Sequence, residues 1–499
     1  MNRLRIIGLV LLAALLVWLA MRSLMPDAPV PVPPQPVREA FLPTKPLRVA
    51  ILPTDDTANE LRWLARELRH LLVHGKMRVA PSHAIAQNAS ATPFTLRVTW
   101  HDSGATGTHA EIALVAPDGI VDERDEIELP EESRLAVMQR FAQRLPEFLN
   151  APSGSADWSA AFGTTDAAAY EEFLRSGDEL FDTRASGFTA PPHNADEAAL
   201  KLERLETLTR RHRHFARARA LLSLAYLSVG GEDESSLTKL AETAAERALS
   251  DDAQIADAHA ALGIVQLRRM EWNTAREHFK AALALDASAL AALEGFGCLL
   301  MDVGQAHAAL PITAQAAALQ PGSHGARRCA TYAAIAAGET RELANDMPAD
   351  IARIHATMQL LAGDRAAAER LLRSSDAASD ELISAVITAS AAQDKAPDAL
   401  RVVTRLAGEK AIDADTEILL GTALRRPDFI FNRMLRLARN NEAVPLRVLW
   451  LPQTEFLRKH RRFKEVVSAV TLTAYWQDHG LPDVCAIEAG VPGCAVKQR

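Results

Sequence analysis

Sixteen consecutive positions from Ile6 to Met21 (IIGLVLLAALLVWLAM) carry no charge. As a helix that run covers about 24 Å at 1.5 Å per residue. If Arg22 reaches toward the headgroups, the apolar span extends over residues 6–25, enough to cross a bilayer once. No small-x-small cleavage signature comes after it, since Trp18 and Ala20 occupy its first available place. The run therefore reads as an uncleaved signal anchor, not a cleaved signal peptide. Eight prolines within residues 26–46 then hold an extended, semi-rigid spacer.

Beyond the spacer the period of the pattern changes. LRVAILP (Leu47–Pro53) alternates as a buried strand does. Leu61, Leu64, Ala65, Leu68, Leu71 and Leu72 fall at helical spacing within a helix expected from Thr57 to His74, with Thr57 and Glu60 as its capping pair. Short strands are expected at Met77–Ala80 and Phe94–Trp100, then a hairpin turning at Asp118-Gly119 and a closing amphipathic helix at Ser133–Leu149. Residues 47–150 thus read as a small α/β domain and residues 151–165 as a linker.

From 166 to 470 the pattern is helical, and its centre repeats every 34 residues: Ala241, Ala275 and Ala309; Ala248, Ala282 and Ala316; Gly263 and Gly297. Small residues at these places let paired helices approach closely, and Phe279, lying between two of them, fills the groove. Each hairpin leaves an apolar face that only its neighbour can cover, so the units stack. About five to seven helical hairpins are expected. Residues 471–499 remain as a C-terminal tail, and residues 1–5 as a tail on the other side of the anchor.

Composition narrows the function classes. The 499 residues are 48% hydrophobic and 24% charged, which excludes wholesale disorder and a multi-span membrane protein. A net charge of −8 leaves no basic excess for a nucleic-acid footprint. Arg3 and Arg5 precede the anchor, favouring a cytoplasmic amino end and, in a Gram-negative bacterium, a periplasmic bulk. Outside the cytoplasm Cys485 and Cys494, which flank a Gly- and Pro-containing segment, are expected to form a disulfide. Cys298 and Cys329 lie inside apolar helical stretches and read as buried small residues. His70 and His74 are four apart on a helix, but no third ligand or intervening general acid accompanies them, so no metal site or cofactor is assigned. Two basic clusters, Arg210–Arg219 and Arg458–Lys464, read as solvated helix ends.

The central repeat resembles the tetratricopeptide repeat: Leu262, Gly263, Ala275, Phe279 and Ala282 match its pattern, as do Gly297, Ala309, Ala316 and Pro321 one repeat later. In that second repeat Phe296 replaces the usual Leu and Thr313 the large residue. TTDAAAYEEFLRSG (Thr164–Gly177) resembles an AY-x-x-(Y/F)-L-x-x-G helix, and AYWQDHGLPDVC (Ala474–Cys485) resembles a YW-x-x-x-G-x-P-D-x-C tail. RRFKEVV, from Arg461, resembles a P-R-F helix with His460 in place of the Pro. In these motifs the chain resembles a group of envelope proteins that join a TolB amino-terminal-like α/β domain to tetratricopeptide repeats, among them the CadC-like membrane regulators and proteins labelled adenylate-cyclase-like. Such regulators carry a winged helix ahead of the membrane segment, where this sequence has Met1–Arg5. The resemblance therefore implies their outer half, without a DNA-binding or cyclase domain.

The resemblance also implies a groove lined by the first helix of each hairpin. Its polar readers would be Asp257, Arg268, Glu294 and Asp302, with Ile264 and Met301 between them, facing an envelope protein or peptide. The fold class expected is multidomain: a transmembrane helix, a small α/β domain and an all-α tetratricopeptide-like solenoid. No nucleophile, paired carboxylates or metal cluster suggests an enzyme. Two functions are compatible with these expectations: a membrane-anchored periplasmic interaction scaffold, or a sensory subunit that signals to a separate transcription factor.

Overall fold

The computed structural model describes residues 47–53, 62–77, 94–102, 108–130, 133–151, 158–181, 195–229, 234–320, 323–339, 347–375 and 377–487. All of them fall within one compact unit, Leu42–Arg499. The expected anchor at 6–25, the spacer at 26–46, the Thr57–Glu60 cap and residues 78–80 of the expected strand lie outside the described residues. Among those described, no helix is long and apolar enough to cross a membrane.

The α/β domain has the order β1 (Leu47–Pro53), α1 (Arg62–His74), β2 (Phe94–Asp102), β3 (Thr108–Val115), β4 (Val121–Glu128) and α2 (Arg134–Phe148). Its sheet runs β1-β2-β3-β4. β1 pairs with β2 in parallel, Leu47 opposite Phe94, across the α1 crossover, and the remaining pairs are antiparallel. Period-two alternation puts Leu47, Val49, Leu96, Val98, Ile112 and Leu114 on one buried face. Leu68, Leu71 and Leu72 of α1 and Met138, Phe141 and Leu145 of α2 are buried with them, so helices cover one face of the sheet. β4 is one of the two edge strands, and its sequence VDERDEIE buries only Ile127; charge on an edge resists pairing with other chains. The hairpin turns at Gly119 with φ 83°, as Asp118-Gly119 predicts. Ser133 caps α2 by accepting from the Ala136 amide at 3.1 Å.

The segment read as a linker is partly structural. Trp158–Phe162 forms a 3-10 turn with Trp158, Ala161 and Phe162 buried. The Trp158 indole lies so close to Gly75, at the end of α1, that a Cβ there would meet it at 2.3 Å. This turn fastens the α/β domain to the helical region.

Beyond it the chain is a solenoid-like stack of helices. α3 (Ala167–Phe181) pairs with α4 (Ala195–Arg211), α5 (Ala216–Val229) with α6 (Glu234–Asp251), α7 (Ala256–Arg268) with α8 (Trp272–Leu285), and α9 (Leu290–Asp302) with α10 (Ala306–Leu319). α11 (His324–Ala336) covers α10, and the pairs α12 (Ala349–Ala362)/α13 (Arg365–Ser374), α14 (Asp380–Ala391)/α15 (Ala396–Gly408) and α16 (Ala414–Ala423)/α17 (Pro427–Arg439) continue the stack.

The 34-residue period is visible in the backbone. Met270, Gly304 and Gly338 all adopt left-handed conformations, with φ of 60°, 85° and 79°, each just past the first helix of its unit. Packing explains the small residues. A Cβ on Gly263 would meet the Phe279 ring at 2.6 Å, and one on Gly295 at 2.4 Å, so this ring is wedged between α7 and α9. At Gly297 the intruding atom is the Thr313 methyl, 2.5 Å from a Cβ, so the smaller residue of the second repeat still fills its hole.

Candidate docking groove

The six groove residues are not an open surface. Ile264 and Met301 are buried, as are Glu294 and Asp302. Glu294 accepts a hydrogen bond from the Ser323 hydroxyl at 3.0 Å, bridging α9 to the start of α11. Asp302 pairs with Arg447, its Oδ1 2.9 Å from Nε. Arg268 is partly buried and donates to the Leu227 carbonyl at 2.7 Å, tying α7 to α5. Only Asp257, in the first turn of α7, keeps a half-buried carboxylate with no hydrogen bond that links helices. Glu294, Asp302 and Arg268 of the expected row of peptide readers thus bond to the chain's own elements, while Ile264 and Met301 pack inside.

The seal over α9 comes from the C-terminal part of the chain. Residues 447–450 form a short 3-10 turn, succeeded by α18 (Glu455–Arg458), α19 (Phe463–Ala469), α20 (Leu472–His479) and α21 (Val484–Ile487). A helix leaves its last carbonyls without intrahelical donors. Here indoles supply them: Trp450 Nε1 donates to Asp302 O at 3.0 Å and Trp476 Nε1 to Val303 O at 2.9 Å. In the reverse direction Trp272, at the start of α8, donates to Val470 O at 2.6 Å. Gln305 holds the carbonyls of His479 and Gly480, and Asp483 accepts from the His307 amide at 2.9 Å while its own amide donates to Gly304 O at 2.9 Å. A Cβ at Gly304 would strike Pro482 at 2.6 Å. The Y-W…G-x-P-D segment is therefore a strap across the helix turns of two repeats, and residues 471–487 are not a free tail.

The opposite closure lies where α1 meets the solenoid. Glu67 is 1% exposed, and Arg217 of α5 grips both its oxygens at 2.9 Å while the Tyr170 hydroxyl donates at 2.5 Å. Burial alone would raise the Glu67 pKa, but the charge and hydrogen bonds of Arg217, with Arg66 behind, hold it at about 2. The same burial, then the Arg217 charge, presses His70 down to about 3; its Nε2 lies 3.0 Å from Ala161 O, in the 3-10 turn. Arg217 also stacks over Phe173, 4.7 Å from the ring centre. Arg66 reaches Asp178 at 3.2 Å. Burial and then Asp286 push Asp257 up to about 6, opposed by Arg66 and Arg217.

Both basic clusters contain a buried arginine, which corrects their reading as solvated ends. In the first, Arg217 is the guanidinium that holds Glu67. In the second, Arg458, 0% exposed, donates to the carbonyls of Leu449 and Leu451 and to the Thr454 hydroxyl. Cys298 and Cys329 are indeed buried, but they are joined in a disulfide, Cα–Cα 5.4 Å, that staples α9 to α11. Cys485 is disulfide-bonded; Cys494 lies outside the described residues. His70 and His74, to which no metal site was assigned, have ring centres 6.4 Å apart. Among the described residues no group of three or more His, Cys, Asp or Glu is placed to hold a metal. The residues that sequence reading passed over are Glu67, Arg217, Arg447 and the three indoles. Trp476 did lie in the AYWQDHGLPDVC motif and Arg217 in a basic cluster, but neither signal named a partner. No protein-family model matches the chain, and no curated protein matches it.

Proposed function

We propose that this chain is a membrane-anchored, periplasmic interaction scaffold of the bacterial inner membrane, built on a tetratricopeptide-like solenoid and docking another envelope protein. The observation that carries the reading is the 34-residue hairpin stack, with left-handed turns at 270, 304 and 338. A stacked array of this kind offers an extended surface for docking. The buried Cys298–Cys329 disulfide supports folding in an oxidising compartment. Because the groove positions are engaged internally, the docking surface falls to the outer helices, where Leu200 of α4 and Leu240 of α6 are 51% and 48% exposed. Photocrosslinking groups placed at 200 and 240 in intact membranes should each yield one adduct of the same mass. Adducts at neither site, or a reporter fused at Gln35 that faces the cytoplasm, would end this reading.

One observation favours the sensory alternative, signalling to a separate transcription factor. His70 is held neutral inside the junction between the α/β domain and the solenoid, so acid opposes that junction directly. Deleting the gene and finding transcription unchanged under acid stress would remove it.

A further inference from the structure

We propose that the Cys298–Cys329 disulfide is a redox latch: the C-terminal strap closes over α9 only once this bond has formed. Three residues along one stripe of α9 carry the inference. Glu294, Cys298 and Asp302 are spaced by four, so they follow one another along a single helix face. Each holds a different part of the chain. Glu294 accepts from Ser323, at the start of α11, at 3.0 Å. Cys298 is bonded to Cys329 in the middle of α11, with Cα atoms 5.4 Å apart. Asp302 takes Arg447, its Oδ1 2.9 Å from Nε.

Residues 447–450 pack against both α9 and α11, so the strap enters a notch whose walls are those two helices. The α9 wall supplies the Asp302 carboxylate to Arg447 and the Asp302 carbonyl to Trp450. On the other wall Ala326, Ala330 and Ala333 are buried, and side chains this small grip weakly. A covalent bond halfway along the seam therefore sets the separation of the walls.

Cys298 and Cys329 are 0% and 1% exposed, so the bond forms before the seam shuts. One thiolate attacks a small disulfide such as oxidised glutathione and expels a thiol; the second thiolate attacks the mixed disulfide and expels the other. The two Cys thiols give up two electrons and two protons, and the oxidant becomes two thiols. The periplasmic reading enters only in where this happens: in a reducing compartment the thiols persist and the strap stays open.

The test uses the full chain in detergent, with Cys485→Ala and Cys494→Ala removing the other two cysteines. Unfolded and then refolded with oxidised or with reduced glutathione, one sequence yields both redox forms. Amide exchange in residues 447–487 should be about thirtyfold faster in the reduced form, the low end of what a lost crosslink removes. Exchange in residues 94–102 and 108–128 of the sheet should match in the two forms. Cys298→Ala combined with Cys329→Ala, which needs no refolding, should behave like the reduced form. A strap equally protected in both forms, or equally protected in that variant and wild type, would overturn the proposal, as would the same loss in strap and sheet. None of these outcomes depends on the side of the membrane, which the reporter at Gln35 reads separately.

Discussion

The two closures of the solenoid use opposite physics. At the α/β junction a buried carboxylate, Glu67, is held by a bidentate guanidinium and a phenol, so the seam depends on charge. At the strap, Trp450 and Trp476 pack edge to face with centres 6.0 Å apart while their N–H groups cap the end of α9, so that seam depends mainly on apolar burial and neutral hydrogen bonds. A buried ion pair loses much when one partner is removed and little when both are replaced, whereas an indole cap loses volume and hydrogen bond together. The first closure therefore centres on a buried charge pair beside the neutral His70, whereas the indole caps of the second carry no titrating group.

The largest effect should come from breaking the ion pair on one side. Arg217→Ala leaves Glu67 buried and uncompensated and should cost about 3–5 kcal/mol in urea unfolding. Glu67→Leu combined with Arg217→Met should recover most of that loss; a double variant as unstable as the single one would mean that the seam is not electrostatic. At the strap, Trp476→Ala should cost about 3 kcal/mol, with no change in its size between pH 5 and pH 8. Gly304→Ala tests the same seam more gently. A left-handed residue pressed against Pro482 should destabilise by about 2 kcal/mol and raise amide exchange in residues 471–487 ahead of the α/β domain.

The remaining effects depend on pH, and their signs differ. His70 titrates near 6.5 unfolded and about 3 folded, so its contribution to stability is complete above pH 6.5 and is lost as pH falls toward 3. His70→Gln should flatten that part of the stability–pH curve. Asp257 runs the other way: its carboxyl titrates at 3.8 unfolded and about 6 folded, so ionisation penalises the folded state increasingly from pH 3.8 to 6. Asp257→Asn should therefore stabilise the protein at pH 7 by about 1 kcal/mol, discounting for partial exposure, and by nothing below pH 3.5. Identical pH curves for wild type and both variants would show that the junction does not couple to these groups.

Local patterns were legible wherever one short-range rule governed them. Alternation marked β1 and β2, Asp118-Gly119 marked the hairpin, Ser133 marked the start of α2, and the spacing of Gly263, Ala275 and Ala282 marked a helical unit of fixed length. For the groove residues, repeat spacing says which face a residue occupies and nothing about what later covers that face. Glu294 and Asp302 do lie on first helices as the spacing requires, yet Ser323 and Arg447 meet them there. The basic clusters misled for a related reason: nearby charges suggest solvent, and only the fold brings a buried carboxylate to Arg217 or bare carbonyls to Arg458.

Sequence by itself determined the local periods: where strands alternate, where helices pair every 34 residues, and where small residues must face a ring. Those features depend on contacts within a few dozen residues, which period and side-chain size encode directly. Tertiary structure alone decided the partners of the long-range polar groups, Glu67 with Arg217 across 150 positions and Asp302 with Arg447 across 145. It also decided that Cys298 meets Cys329, since two buried cysteines in separate helices pair only when packing brings their Cα atoms to 5.4 Å. Such pairings depend on distance in space, and no period along the chain records it.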